Sequence, residues 1–154
     1  MSILGIRVEP RKTTFVVLEL TDDNFSIINC ELIKVPAALD FPEKLKYIRS
    51  CVIDILREFS VSRAGIRVAE GNTQNLDITR LHIEGVVQEA FSSSEIEYYF
   101  VGRKTSIASR LNKSTKELEL IFKGKQPYEG ISNWDELTGS SAKEAALVAI
   151  AAAL

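Results

Sequence analysis

Histidine and cysteine are nearly missing from this 154-residue chain: one His and two Cys stand against 40 charged residues, 19 Lys or Arg and 21 Asp or Glu. The lone His82 cannot form a histidine-based metal cluster, and the distant Cys30 and Cys51 do not supply one. Both cysteines lie inside apolar patterns, so buried thiols of a reducing compartment are expected. No apolar run approaches the ~18–20 residues of a membrane span. The first residues lack the basic start and long apolar core of a signal peptide. A soluble, cytoplasmic protein without a membrane partner is the expectation. Charge of one sign is lacking too, since the net charge is −2, which argues against a strongly basic nucleic-acid binder on average. No phosphate-cradling glycine loop, nucleophile elbow or dinucleotide fingerprint occurs.

What remains is an ordinary globular composition, 45% hydrophobic and 26% charged, of a length that fits one domain over residues 1–154. Residues 2–8, 13–20 and 25–35 read as strands, joined by short polar connections at Arg11-Lys12 and Thr21-Asp22-Asp23-Asn24, as antiparallel hairpins require. Then the period changes. Phe41, Leu45, Ile48, Val52, Ile55 and Phe59 form one stripe of a long amphipathic helix, with Asp40 as N-cap and Glu43 placed to close a capping box.

Residues 64–70 read as a short strand ending in a turn-like Gly71-Asn72. Residues 75–91 read as a helix with Leu76, Ile83, Val87 and Ala90 inside, 95–102 as a fifth strand and 104–111 as a short helix. Residues 112–123 fit either a helix or an extended segment, and 124–139 read as loop. The small-residue stretch "SSAKEAALVAIAAAL" is a last helix, capped by Ser141 with Glu144 at its third position. No internal repeat is apparent. Three antiparallel strands feeding βαβ crossovers predict an α/β mixed sheet with helices on both faces, its first and fourth strands side by side in the middle.

That order resembles the RNase H-like fold, and the local sequence resembles its RuvC-type resolvase branch. "ILGIRVEPRKTTFVVLEL" is similar to the branch's opening strand-turn-strand, "AGIRVAEGN" to its fourth strand, and "AKEAALVAIAA" to its last helix. The chain also resembles small bacterial proteins that carry only a domain-of-unknown-function label. The resemblance implies acidic residues holding two divalent ions, Mg²⁺ or Mn²⁺, which activate water and stabilise the leaving oxygen. Carried across, the second acidic position is Glu70 and the last is Glu144. The first, an Asp in the relatives, is Arg7 here. A fixed cation cannot ligate Mg²⁺ and repels it.

Each candidate has a plain reading beside the functional one. Arg7 is either a strand end facing solvent or a guanidinium lying where a metal would lie, bridging Glu70 and Glu144. Glu9 lies on the face of Arg7 and could supply a missing carboxylate, but Pro10 follows and a turn residue is preferred. Glu70 is a turn carboxylate or a site residue, and the capping box alone accounts for Glu144. Glu84 reads as a solvated face residue and His82 as a helix-surface residue. Tyr98, Tyr99 and Phe100 read as core and cross-strand packing.

Residues 103–125 carry Arg103, Lys104, Arg110, Lys113, Lys116, Lys123 and Lys125 against Glu117 and Glu119, a local balance of +5. That stripe could contact phosphates through Arg103, Lys104, Arg110 and Lys113, or be a solvated face. The function expected is a non-catalytic pseudo-nuclease that binds a protein partner or nucleic acid without a cofactor. The alternative is a Mg²⁺- or Mn²⁺-dependent nuclease with a rearranged set of Glu9, Glu70, Glu84 and Glu144. The apolar last helix must be buried by its own sheet or by a partner, which leaves a homodimer open.

Overall fold

Alternation of side chains along the first strand decides the architecture. In the computed structural model, which describes residues 1–71 and 74–154, strand β1 covers Ser2–Val8. Leu4, Ile6 and Val8 go to one core and Ile3 to another on the opposite face, as a period of two requires. Strand β2 (Thr13–Thr21) returns antiparallel to β1, and β3 (Asn24–Ile33) antiparallel to β2. The β2–β3 turn is Asp22-Asp23, paired ends Thr21 and Asn24, with φ of 50° and 65°. Those values belong to the two-residue turn whose twist matches flanking strands, and Asp is among the residues that tolerate it.

Helix α1 (Phe41–Glu58) begins where Asp40 accepts the Glu43 N–H at 3.0 Å, and it leads into β4 (Val61–Arg67), parallel to β1. Helix α2 (Ile78–Ser92) leads into β5 (Tyr98–Gly102), parallel to β4. The sheet order is β3-β2-β1-β4-β5, with the first and fourth strands adjacent as expected. Helices α3 (Lys104–Arg110) and α4 (Thr115–Phe122), a 3₁₀ turn over Trp134–Glu136 and helix α5 (Ser140–Ala153) complete the chain. One core lies between the sheet and α1 and α2, the other between the sheet and α3, α4 and α5. This is the α/β mixed sheet with helices on both faces.

Several boundaries move. The strand read at 64–70 runs from Val61 to Arg67, so Glu70 stands beyond its end; the Asn72 half of the turn read after it lies outside the described residues. The third strand ends at Ile33 and the fifth starts at Tyr98. Asp77, not an earlier residue, caps α2, which leaves Leu76 outside the helix and exposed. The ambiguous 112–123 segment is helical from Thr115, because the Ser114 hydroxyl accepts the Glu117 N–H.

The capping box read at Ser141 and Glu144 does not exist. Gly139 is the cap of α5 with φ of 82°, and both side chains are used elsewhere. The thiols are less buried than expected: Cys30 is exposed on β3, the sheet's edge strand, and Cys51 is half-buried. Of the aromatic trio, Phe100 is core but Tyr99 is exposed.

Helix α5 lies across β1 and β4 at unusually short range. A Cβ on Gly5 would meet the Ala145 carbonyl oxygen at 1.8 Å, and one on Gly65 the Val148 carbonyl oxygen at 2.4 Å. The two glycines are register partners, and with no side chain on either the helix backbone can sit down on the sheet there. Apart from Lys143, every residue from Ser141 to Ala152 is buried. The domain's own sheet and helices therefore cover the apolar helix.

Candidate functional site

Arg7 and Arg67 are direct partners across β1 and β4, near the carboxyl ends of the two central parallel strands. They share a face with Gly5 and Gly65, the face on which α5 lies. Glu144, on the first turns of α5, comes down between them. Arg7 Nε donates to Glu144 Oε2 at 2.9 Å and Arg67 Nε to Glu144 Oε1 at 3.2 Å. Each arginine also donates Nη1 to the carbonyl of the residue that follows it, Val8 or Val68. Arg67 Nη2 lies 3.1 Å from Glu70 Oε1, an oxygen that also accepts the Lys104 N–H at 2.9 Å.

The side chains of Arg7, Arg67 and Glu144 are 14%, 6% and 11% exposed, so this is a half-dry ion cluster and not a surface pairing. Arg7 does not face solvent. It pairs with Glu144 as anticipated, but the residue that bridges Glu144 and Glu70 is Arg67. Sequence reading passed over Arg67, although a signal existed. Gly5-Ile6-Arg7-Val8 and Gly65-Ile66-Arg67-Val68 are the same tetrapeptide, and the first three positions pair in register. The short repeat was missed because four residues fall below the period of any repeat architecture.

Glu84 is also corrected, being buried at 3% exposure on α2. Its two oxygens accept the Ala69 N–H at 3.2 and 3.0 Å, and Oε2 accepts Arg80 Nε at 2.8 Å. Burial, followed by the charges of Arg7 and Arg67, pulls the Arg80 pKa below the ordinary arginine value, against the opposing pull of Glu84. Arg80 therefore belongs to the same cationic group. Glu9 has turn geometry, its N–H donating to Lys12 O at 2.8 Å, and its side chain turns toward α5. There Oε1 accepts from Ser141 Oγ at 2.9 Å, while Lys12 Nζ lies 3.5 Å from Oε2. His82 is exposed, with its ring 5.7 Å from that of Phe41.

This donor set does not fit the divalent ions that the resemblance implies. Both oxygens of Glu144 face guanidinium groups, Glu70 is held by Arg67 and a backbone amide, and Glu84 by Arg80 and a backbone amide. A hard cation needs oxygen ligands turned toward one point at ~2.0–2.6 Å, not permanent positive charges at that point. Among the described residues, no three acidic, histidine or cysteine side chains gather to hold one.

The four basic candidates of the 103–125 stretch each make contacts within the chain. Arg103 Nε donates to Ala69 O at 3.2 Å, and Lys104 Nζ pairs with Glu119. Arg110 donates to Ala151 O and the Tyr98 hydroxyl while lying 4.1 Å over the Phe100 ring. Lys113 Nζ is 3.9 Å from Glu117 and 5.9 Å from the Tyr128 ring. Only Arg103 and Lys104 border the arginine cluster. A better-placed basic wall is the β1–β2 turn, where Arg11 and Lys12 join Arg7 and Arg80 around a cavity of about 440 Å³.

No protein-family model and no curated protein matches the chain. Solved structures do. The chain is similar to Thermus thermophilus RuvC (15% identity, TM-score 0.74, 98% of this chain and 92% of that one). Similarity to T. thermophilus RuvC in complex with Holliday junction substrate is at 18% identity and TM-score 0.72, over 98% and 92% of the two chains. The yeast mitochondrial Holliday junction resolvase aligns at 14% identity and TM-score 0.55, over 96% of this chain and 77% of that one. At such identities the likeness is one of fold, and the fold is RNase H-like, of the RuvC type.

Proposed function

We propose that this chain is an RNase H-like domain that binds nucleic acid without cleaving it, through a cationic site at the carboxyl ends of β1 and β4. One observation carries this reading: the paired Arg7 and Arg67 stand on either side of Glu144, where the resemblance would have a metal between carboxylates. A guanidinium is a planar, permanently charged donor suited to phosphate oxygens. Arg7 and Arg80, with Arg11 and Lys12 at the rim, form its phosphate-facing wall. Arg103 and Lys104 continue that wall toward the 103–125 stretch. The similarity to a RuvC structure solved with a Holliday junction makes branched DNA the first ligand to try.

The test is binding of a four-way junction in EDTA, followed by incubation with Mg²⁺ or Mn²⁺. Binding that needs no divalent ion and leaves the junction intact is the expected result. With about four phosphates neutralised, affinity falls roughly 100-fold between 50 and 200 mM salt. Arg11→Glu with Lys12→Glu removes most of the binding. Cleavage that requires the metal and vanishes in Glu70→Gln would overturn the reading.

A further inference from the structure

A second cavity of about 440 Å³ adjoins the cationic one, and the two share Glu9, Pro10, Arg11 and Lys12 as a common wall. Their characters differ. The second is floored by the buried side chains of Ile33, Ile48 and Ile83, contributed by β3, α1 and α2. The ring of Phe41 stands at its side, 36% exposed, and the small Ala37 lines it as well. Its charged lining is Lys44, Arg11 and Lys12, against Glu9 alone. The nearby Asp40 carboxylate is spent on the first turn of α1. Among the described residues, neither Arg11 nor Lys44 forms an ion pair, and Glu9 Oε2 is buried without a hydrogen bond.

We infer that the two cavities together hold one unpaired nucleotide, with its phosphate against Arg7, Arg11, Lys12 and Arg80 and its base in the apolar chamber beside Phe41. For the phosphate this rests on the reading above; the chamber is an independent observation. A binding pocket of small-molecule size spans roughly 300–1,000 Å³ and is mostly apolar with a few convergent polar groups, which is the make-up here. A base has a flat π-face that an aromatic ring accepts whatever its identity, and an exposed Phe at an apolar mouth offers one. A single anionic group with a flat apolar body matches the split between the two cavities. The nucleotide can be free or the unpaired end of a strand.

Calorimetric titration separates these sources. The ligands are a nucleoside 5′-monophosphate, the matching nucleoside, inorganic phosphate, a blunt duplex and the same duplex with one unpaired terminal nucleotide. The proteins are the full chain and its Ala37→Trp and Arg11→Glu variants, with folding checked by thermal melting. Either the monophosphate binds about tenfold tighter than nucleoside or phosphate, or the overhang binds about tenfold tighter than the blunt duplex. Ala37→Trp, which fills the chamber from an exposed position, removes that gain and leaves blunt-duplex binding unchanged. Arg11→Glu weakens monophosphate and duplex together. A monophosphate no tighter than phosphate, with no overhang preference, overturns the pocket while duplex binding leaves the nucleic-acid reading standing. Monophosphate binding sensitive to Ala37→Trp, without duplex binding, does the reverse.

Discussion

Replacing Glu144 by Gln keeps the shape of the side chain and deletes the one charge that Arg7 and Arg67 share. Arg67 retains Glu70 at 3.1 Å, but Arg7 loses its carboxylate partner. The two Nε atoms sit 2.9 and 3.2 Å from opposite oxygens of one carboxylate, which puts the guanidinium groups on the order of 7 Å apart. The repulsion of two unit charges at that separation, about 2–3 kcal/mol at an effective dielectric of ~20, is there with or without Glu144; what the variant loses is the attraction of each guanidinium to the carboxylate, about 4 kcal/mol at ~4 Å. Set against the carboxylate desolvation that the variant no longer bears, the lost attraction and charge-assisted hydrogen bonds leave an expected destabilisation of about 3–4 kcal/mol, within the range for breaking a buried pair on one side. For a chain of this length that lowers Tm by roughly 6–15 °C. Arg7→Gln alone leaves Arg67 and Glu144 paired and costs about 1 kcal/mol. The Arg7–Arg67 repulsion cancels from the cycle, so urea melts of the double variant and the two singles return the Arg7–Glu144 attraction as a coupling of about 1.5–3 kcal/mol. A Glu144→Gln protein as stable as the parent, or a coupling near zero, would refute the shared-carboxylate account.

Three further outcomes follow from the same geometry. Gly5→Ala drives a Cβ into the Ala145 carbonyl and costs about 3 kcal/mol or more, whereas Gly85→Ala, with nothing within 4 Å of the new Cβ, is neutral or stabilising by up to ~1 kcal/mol; chemical denaturation of both checks the contrast. Mg²⁺ leaves Tm unchanged in a thermal shift assay, since a metal bound only by the folded state at 100 times its Kd would add about 2.7 kcal/mol. Burial, aided by the charge of Asp54, raises the pKa of the half-buried Cys51 thiol, so it holds less thiolate than a free cysteine near pH 8 and alkylates more slowly, the rate climbing as pH rises further; alkylation of Cys51 at the free-cysteine rate at pH 8 would contradict this.

Strand order, the short polar connection at 21–24 and the long helix over 41–58 were legible because each rests on a local pattern: alternation, a polar break between apolar runs, a 3.6 period with a cap. The losses came where a residue's role is set by something distant. Ser141 has the look of a cap, yet its hydroxyl serves Glu9, 132 residues away, and a glycine of positive φ starts the helix instead. Arg110 reads as a phosphate contact, yet it caps the carbonyl end of α5 and lies over Phe100. Glu84 was recoverable. It precedes Val87 and Phe91 by three and seven positions, which places it on the buried stripe of α2, where a carboxylate needs partners. Glu70 and Glu144 were found through the resemblance, while Arg67 needed the tetrapeptide repeat to be compared across strands.

The repeat also ties the packing of α5 to the charge of the site. Gly5 and Gly65 form a notch two strands wide, and α5 drops into it until the Ala145 and Val148 carbonyls rest on the sheet. Glu144 immediately precedes Ala145, so the depth of the helix decides whether its carboxylate reaches between Arg7 and Arg67. A side chain on either glycine would lift the helix and pull the carboxylate away from both guanidinium groups at once. The notch glycines and the arginines are therefore a single unit, Gly-Ile-Arg, used twice: the glycine admits the helix and the arginine two residues on meets its acid. A divalent ion placed between Glu144 and Glu70 would have to displace Arg67 from both of them. A cluster wired in this way holds its acids for its own arginines and leaves the outer Arg11, which forms no ion pair among the described residues, for an incoming anion.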